Sequence, residues 1–205
     1  MCGRYFIDTD FMEILKKYQV EKSTIEHEQS PGEVFPGTKC LIIRHGTQRR
    51  ADMLHWGMPY SFTKSPIINV RTESIDKPIF ASSFRYRRCI IPCNFFYEWK
   101  SLPGRNKKNK VEISLHETRI LSLGGIFHKF KDDNGKEFEA FAILTTPATN
   151  ELRDIHHRMP LILNGREDDF LRSLNDKELK KLITMSQNWY KFSKNIPCHE
   201  QNFIV

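Results

Sequence analysis

The stretch 119-RILSLGGIF-127, followed by 137-EFEAFAILT-145 with 133-DNG-135 between them, decides the fold. Two apolar runs rich in β-branched and aromatic residues flank a turn whose Asn-Gly pair accepts positive φ, the short-range signature of a β-hairpin. Working outward, 88-RCIIP-92, 95-FFYEW-99 and 111-VEISLH-116 read as further strands. The segments 39-KCLIIRH-45 and 51-ADMLHW-56 read as another hairpin, turning at Gly46. Helical periodicity is confined to the two ends of the chain. In 10-DFMEILKKY-18, Phe11, Ile14, Leu15 and Tyr18 share one face, and Asp10 and Glu13 have capping-box spacing. The runs 166-REDDFLRSL-174 and 176-DKELKKLITM-185 also read as helices, the second with Asn175 and Glu178 at that spacing. Strands outnumber helices and do not alternate with them as βαβ units do. The expected class is therefore α+β, with curved mixed or antiparallel sheet flanked by short helices.

Two segments escape this pattern. Residues 30–37 hold two prolines and two glycines and read as a loop. Between Pro59 and Ser83, Pro66 and Pro78 interrupt any long element around the polar block 69-NVRTES-74, and irregular stretches of this length are often functional. No GxxxxGK[ST] or GxGxxG occurs, and Gly124-Gly125 is a lone pair inside a strand, so a parallel-sheet nucleotide fold is disfavoured. With no repeat or linker, a single domain over residues 2–205 is expected, its motifs within 2–163 and helices plus a tail over 164–205.

The 205 residues are 39% apolar and 28% charged, with 15 Phe, 6 Tyr and 3 Trp, a composition that buries a core. The longest apolar runs fall far below the ~18 residues of a membrane helix. The first 20 residues lack the apolar stretch of a signal peptide, so a cytoplasmic protein without a membrane partner is expected. Five unevenly spaced cysteines suit reduced thiols better than a disulfide framework. The net charge is +7 and the pI is near 9.2, with basic clusters at Arg49-Arg50, 85-RYRR-88 and 105-RNKKNK-110. Two of these clusters flank the aromatic run 95–99, the combination that binds single-stranded nucleic acid.

Cys2 stands out by position. Removal of Met1 would leave it with a free α-amine beside its thiol, and such an amine titrates at about 7.7–8.0 against about 10.4 for lysine. A 1,2-aminothiol reacts with aldehydes, first as an imine and then by sulfur addition to a five-membered thiazolidine. The tyrosine and phenylalanine of 2-CGRYF-6 could anchor the terminus, and Arg4 adds a fixed cation. His156, in 154-DIHHRMP-160, could act as a general acid or base near neutral pH. Glu98 lies among aromatic residues, where a buried carboxylate calls for a task or for an ion pair with Arg71 or Arg88. Cys89 and Cys93, separated by three residues including Pro92, have poor zinc geometry, so no metal is expected. Cys40 and Cys198 read as ordinary thiols.

The blocks 1-MCGRYF-6, 36-PGT-38, 55-HWGMP-59, 68-INVRTES-74, 88-RCIIPCNFFYEW-99, 141-FAILTT-146 and 154-DIHHRMP-160 together resemble the SOS-response-associated peptidase (SRAP) family of abasic-site processing proteins. The resemblance implies a barrel-like SRAP fold and covalent capture of abasic sites in single-stranded DNA, without a cofactor. It implies that Cys2 is the crosslinking residue, that Asn69 positions its terminus, and that Glu98 and His156 form an acid/base pair. Arg4, Arg71 and Arg158 would contact phosphates, and Trp56 would belong to a wall supporting the displaced strand. The expected partner is single-stranded DNA bearing abasic sites, with the replication machinery as a further candidate. A monomer, associated with the nucleoid when bound to DNA, is expected. The chain departs from the family pattern at His157, where Asp is usual, at Glu33, where Asn is common, and at Cys93-Asn94-Phe95, where Ala-Asp-Gly is common. Two other readings compete: a cysteine peptidase using Cys2 and His156, and a module that binds single-stranded or modified DNA without chemistry.

Overall fold

The hairpin expected around Asp133-Asn134-Gly135 forms, with Phe127 opposite Phe141 and Lys131 opposite Glu137. The computed structural model describes residues 2–20, 22–23, 25, 30–45, 48–102, 104, 108–172, 175–185 and 190–196. Its strands are β1 (Tyr5–Ile7), β2 (Lys22–Ser23), β3 (Gly32–Val34), β4 (Lys39–His45), β5 (Arg49–Trp56), β6 (Asn69–Arg71), β7 (Arg88–Cys93), β8 (Phe95–Ser101), β9 (Lys108–Leu115), β10 (Leu121–Lys131), β11 (Glu137–Pro147), β12 (Arg158–Pro160) and β13 (Phe192–Asn195). The helices are α1 (Phe11–Lys17), α2 (Pro78–Tyr86), α3 (Glu167–Leu171) and α4 (Asp176–Met185). The expected α+β class holds. The Gly46 turn, Cys198 and residues 105–107 of the 105–110 basic cluster lie outside the described residues.

Strands β11, β10, β7, β4 and β5 lie side by side, and β5 returns to β11 through a parallel step at His55–Ala140 and Trp56–Phe141. That step closes five strands into a barrel and covers edges that would otherwise be exposed. The β5–β11 ladder is short, and Arg44 reinforces the seam: its Nε donates to Asp52 at 2.5 Å and its Nη1 to Glu139 at 2.7 Å. Strand β7 is buried along its whole length, which is why 89-CIIPC-93 is apolar without alternation. The glycine pair is a packing feature. A Cβ on Gly125 would stand 2.6 Å from Ile91 Cδ1 and 3.0 Å from the Ala142 carbonyl oxygen, so the strands meet here only because no side chain intervenes.

A second sheet, in the order β13-β9-β8-β1-β3, is antiparallel throughout and lies outside the barrel. Helix α1 starts at Asp10, whose carboxylate accepts from Met12 N and Glu13 N, whereas Glu13 faces Arg119 at 3.9 Å. Asn175 and Glu178 form the full reciprocal box ahead of α4. Three expectations need correction. Pro78 opens α2 inside the stretch read as irregular, because proline's missing N–H is harmless in the first helical turn. Residues 32–34, read as loop, form β3 because β1 supplies a ladder partner. The Glu98–Arg88 ion pair is not made. Buried Arg88 donates instead to the carbonyls of Phe84, Arg85, Phe170 and Arg172, tying α2 and α3 to β7.

Candidate active site

Cys2 is fully buried, because the strand that follows it is held on both sides. Tyr5 pairs with Val34 on one edge and with Phe96 on the other, and Tyr97 N donates to the Arg4 carbonyl at 3.0 Å. Asn94 secures the far end: its N–H donates to the Phe6 carbonyl, its Oδ1 accepts from Asp8 N, and its Nδ2 donates to Thr9. The frayed terminus that position alone would favour is thus excluded for residues 2–9. Tyr5 packs against Trp56 at 5.3 Å, and Trp56 stacks on Phe141 and donates its Nε1–H to the Ile68 carbonyl. Trp56 is 0% exposed, so it backs the site from inside the barrel closure and presents no wall to a DNA strand.

The Cys2 thiol donates to the Arg4 carbonyl at 3.7 Å. Burial is the largest cause pushing this thiol far above its ordinary range, and the Glu98 charge pushes the same way. Sulfur is therefore stored as S–H at neutral pH. Glu98 itself is 3% exposed on β8, opposite Val111.

Asn69 reaches Cys2 from the barrel side, its Nδ2 donating to the Cys2 carbonyl at 2.8 Å. The buried Asn69 Oδ1 has no hydrogen-bond partner among the described residues. Strand β6 runs parallel to β11, so Asn69 faces Ile143 and Arg71 faces Thr145. On the opposite edge of β11, Pro160 faces the same Thr145 and Arg158 faces Pro147. One strand end thus gathers the blocks 69–74 and 156–160.

His156 is half-buried, and its Nδ1 accepts from Arg158 N at 2.9 Å while lying 3.1 Å from the Arg158 carbonyl oxygen. The neutral ring thus uses the N–H, and a protonated ring has the carbonyl to donate to. A histidine supplied for both charge states suits proton transfer. The exposed His157 ring stacks on it at 4.4 Å and is held below the ordinary histidine value, chiefly by charge on His156.

The three arginines are placed unequally. Arg71 is exposed. Arg4 donates to Glu33 at 3.0 Å, with its guanidinium over the rings of Phe35 and Trp99. Arg158 is 7% exposed and bidentate to Glu73 at 2.5 and 2.9 Å, with a further bond to the Thr145 carbonyl. In this conformation Arg158 ties β12 to the 72–74 turn and is not open to a phosphate, which corrects its expected role. The residues Glu33, Glu73, Asn94 and Lys110 are visible in the sequence but their partnerships are not, because each also reaches a partner at least 77 residues away in the chain. Among the described residues no group of three or more His, Cys, Asp or Glu is arranged to hold a metal ion.

A groove of about 720 Å³ lies along the β5–β11 seam, lined by Arg44, Asp52, His55 and Phe138. Cys2, Asn69, Glu98 and His156 are not part of its lining.

The chain matches the family model described as SOS response associated peptidase (SRAP) over residues 1–198. It is 31% identical over 176 residues to the abasic site processing protein YoqW of Bacillus subtilis (strain 168), covering 82% of this chain and 78% of that one. It is 29% identical over 173 residues to the abasic site processing protein YedK of Escherichia coli (strain K12), covering 80% and 76%. A crystal structure of a protein from Bacteroides thetaiotaomicron is alike in fold, with a TM-score of 0.80 at 24% identity over 95% of this chain and 91% of that one. Because the match extends past β13 and so spans both sheets and the seam where Cys2 meets Asn69, the protein belongs to the SRAP family.

Proposed function

We propose that the protein processes abasic sites in DNA by capturing the ring-opened sugar of a single strand as a thiazolidine on Cys2. The observation that carries this reading is the Asn69 bond to the Cys2 carbonyl, which fixes a terminal aminothiol, once Met1 is removed, within electrostatic reach of Glu98. The names of the relatives, abasic site processing proteins, support the same substrate class.

The abasic deoxyribose is mostly a closed hemiacetal. Opening it takes the proton from the C1′ hydroxyl and places one on the ring oxygen, a transfer suited to His156 with its partner for each charge state. The Cys2 amine then adds to the aldehyde carbon, and loss of one water gives the imine. Finally the S–H adds across the C=N bond, sulfur to carbon and proton to nitrogen, with no other species consumed. A thiol kept protonated by burial fits this order, because nitrogen must attack before sulfur. A cysteine peptidase needs the opposite, a thiolate drawn down by a neighbouring cation.

The test is incubation with a single-stranded oligonucleotide carrying one abasic site, read on a denaturing gel. A heat-stable retarded band from the wild type, absent with Cys2→Ala, is the expected outcome. Equal stable bands from both proteins would remove Cys2 from the chemistry.

A further inference from the structure

We infer that Glu33 is a resident anion holding the place of a DNA backbone phosphate against Arg4 and Lys110, so that a strand binds by exchanging phosphate for carboxylate. The inference rests on the reading of this face as one that binds single-stranded DNA.

Three features carry it. First, the carboxylate joins two cations from different segments, Arg4 just ahead of β1 and Lys110 on β9: Oε2 accepts from Arg4 Nη1 at 3.0 Å, and Oε1 accepts from Lys110 Nζ, with the Tyr97 side chain as a further hydrogen-bond partner. Two cations converging on one anion from separate segments of the chain is also the arrangement that grips a phosphate. Second, the Arg4 guanidinium does not depend on Glu33 for its place. Its centre lies 4.4 Å from the Phe35 ring centroid and 5.3 Å from that of Trp99, and Lys110 Nζ lies 3.9 Å above Tyr97. These rings hold both cations when the carboxylate leaves, and add a stacking surface beside them. Third, the carboxylate engages Arg4 through one nitrogen only. Arg4 Nε is buried and without a hydrogen-bond partner among the described residues, so one donor on the guanidinium edge is unused. A tetrahedral phosphate can satisfy Nε and Nη1 together.

The Arg158–Glu73 pair shows what a structural pair looks like in the same protein. It is bidentate and its arginine side chain is 8% exposed, whereas the Arg4 and Glu33 side chains are each 29% exposed and open to exchange.

The test is fluorescence anisotropy with an undamaged single-stranded oligonucleotide over a salt series, using wild type, Glu33→Gln and Glu33→Asp. Glu33→Gln keeps the shape and removes the competing charge. It should bind about two- to tenfold more tightly at low salt, the scale of a partly exposed ion pair spanning two cations. Its log–log salt slope should match that of wild type, because the same phosphate is neutralised in both. Glu33→Asp, which keeps the charge, should stay near wild type. Binding by Glu33→Gln that is no tighter than wild type overturns the inference and makes Glu33 a strut for β1. Failure of thiazolidine capture is read separately, from the wild type on an abasic strand. A wild type that binds the undamaged strand but forms no heat-stable adduct refutes that chemistry and leaves the Glu33 comparison to decide on its own.

Discussion

The barrel and the outer sheet contribute to the site in different ways. The barrel side supplies Asn69, Arg71, His156 and Arg158 from β6, β12 and the turn before it, short segments attached to the end of β11, which is buried from Ala140 to Thr146. The outer sheet supplies Cys2, Arg4, Glu33 and Glu98 from β3, β8 and the residues leading into β1, with its partly exposed members drawn into ion pairs. A closed, buried ladder fixes register, since a one-residue slip would turn every core side chain outward. The outer sheet has open edges, and what locates it is specific side-chain bonding such as that of Asn94 and Asn69. The residue proposed to capture the sugar thus sits on the outer sheet and its proposed proton-transfer partner on the barrel side.

The sharpest way to break this comparison is Cys2→Ala, which should abolish heat-stable adduct entirely while leaving the barrel's cooperative unfolding unchanged, as followed by circular dichroism. On the barrel side, His156→Ala should slow single-turnover capture by roughly 10²- to 10⁴-fold while reaching a similar yield given time. An unchanged rate across about pH 5.5–8.5, the span bracketing ordinary His and α-amine values, would dismiss His156 as acid or base. Asn69→Ala removes the side-chain bond that joins the two layers at Cys2, and misplacement on that scale should slow capture by roughly 10²-fold. If the rate instead stays at the wild-type value, the outer sheet locates Cys2 without help from the barrel.

Two smaller effects sharpen the contrast in stability. Gly125→Ala forces a methyl against Ile91 and the Ala142 carbonyl, and overpacking of this kind costs about 1–3 kcal/mol. In a domain of this size that lowers Tm by about 2–4 °C per kcal/mol, with capture by the remaining folded protein unchanged. Smallest is the Glu73–Arg158 clamp, whose carboxylate is held below its ordinary 4.5 mainly by the arginine's hydrogen bonds. A depressed folded-state value means that the contribution is present above about pH 4.5 and is lost as pH falls through the lower folded value. Because Glu73 is half exposed, wild type and Glu73→Gln should differ by under about 1 kcal/mol at pH 7. Thermal melts should show that gap closing below pH 4.5.

What the sequence determined by itself is whatever a short window encodes. Alternation and β-branched runs place the long strands of the barrel, the 133–135 turn joins two of them, and capping residues mark α1 and α4. The α+β class follows from their order. The site residues Cys2, Asn69, Glu98 and His156 are legible as a set of motif blocks, since residue type and spacing alone carry that resemblance.

Only the tertiary structure decided the rest. β1, β3 and β12 are three residues each, too short to show a period, and exist because a neighbouring strand offers a ladder. Pro78 reads as a break until the fold places it at a helix start. The family resemblance implies DNA-facing roles for Trp56 and Arg158, yet barrel closure buries the first and Glu73, 85 residues away in the chain, claims the second. The physical reason is common to all of them. Burial and charge partnership are properties of where distant segments come to rest, and they depend on ladders and ion pairs that no local pattern encodes.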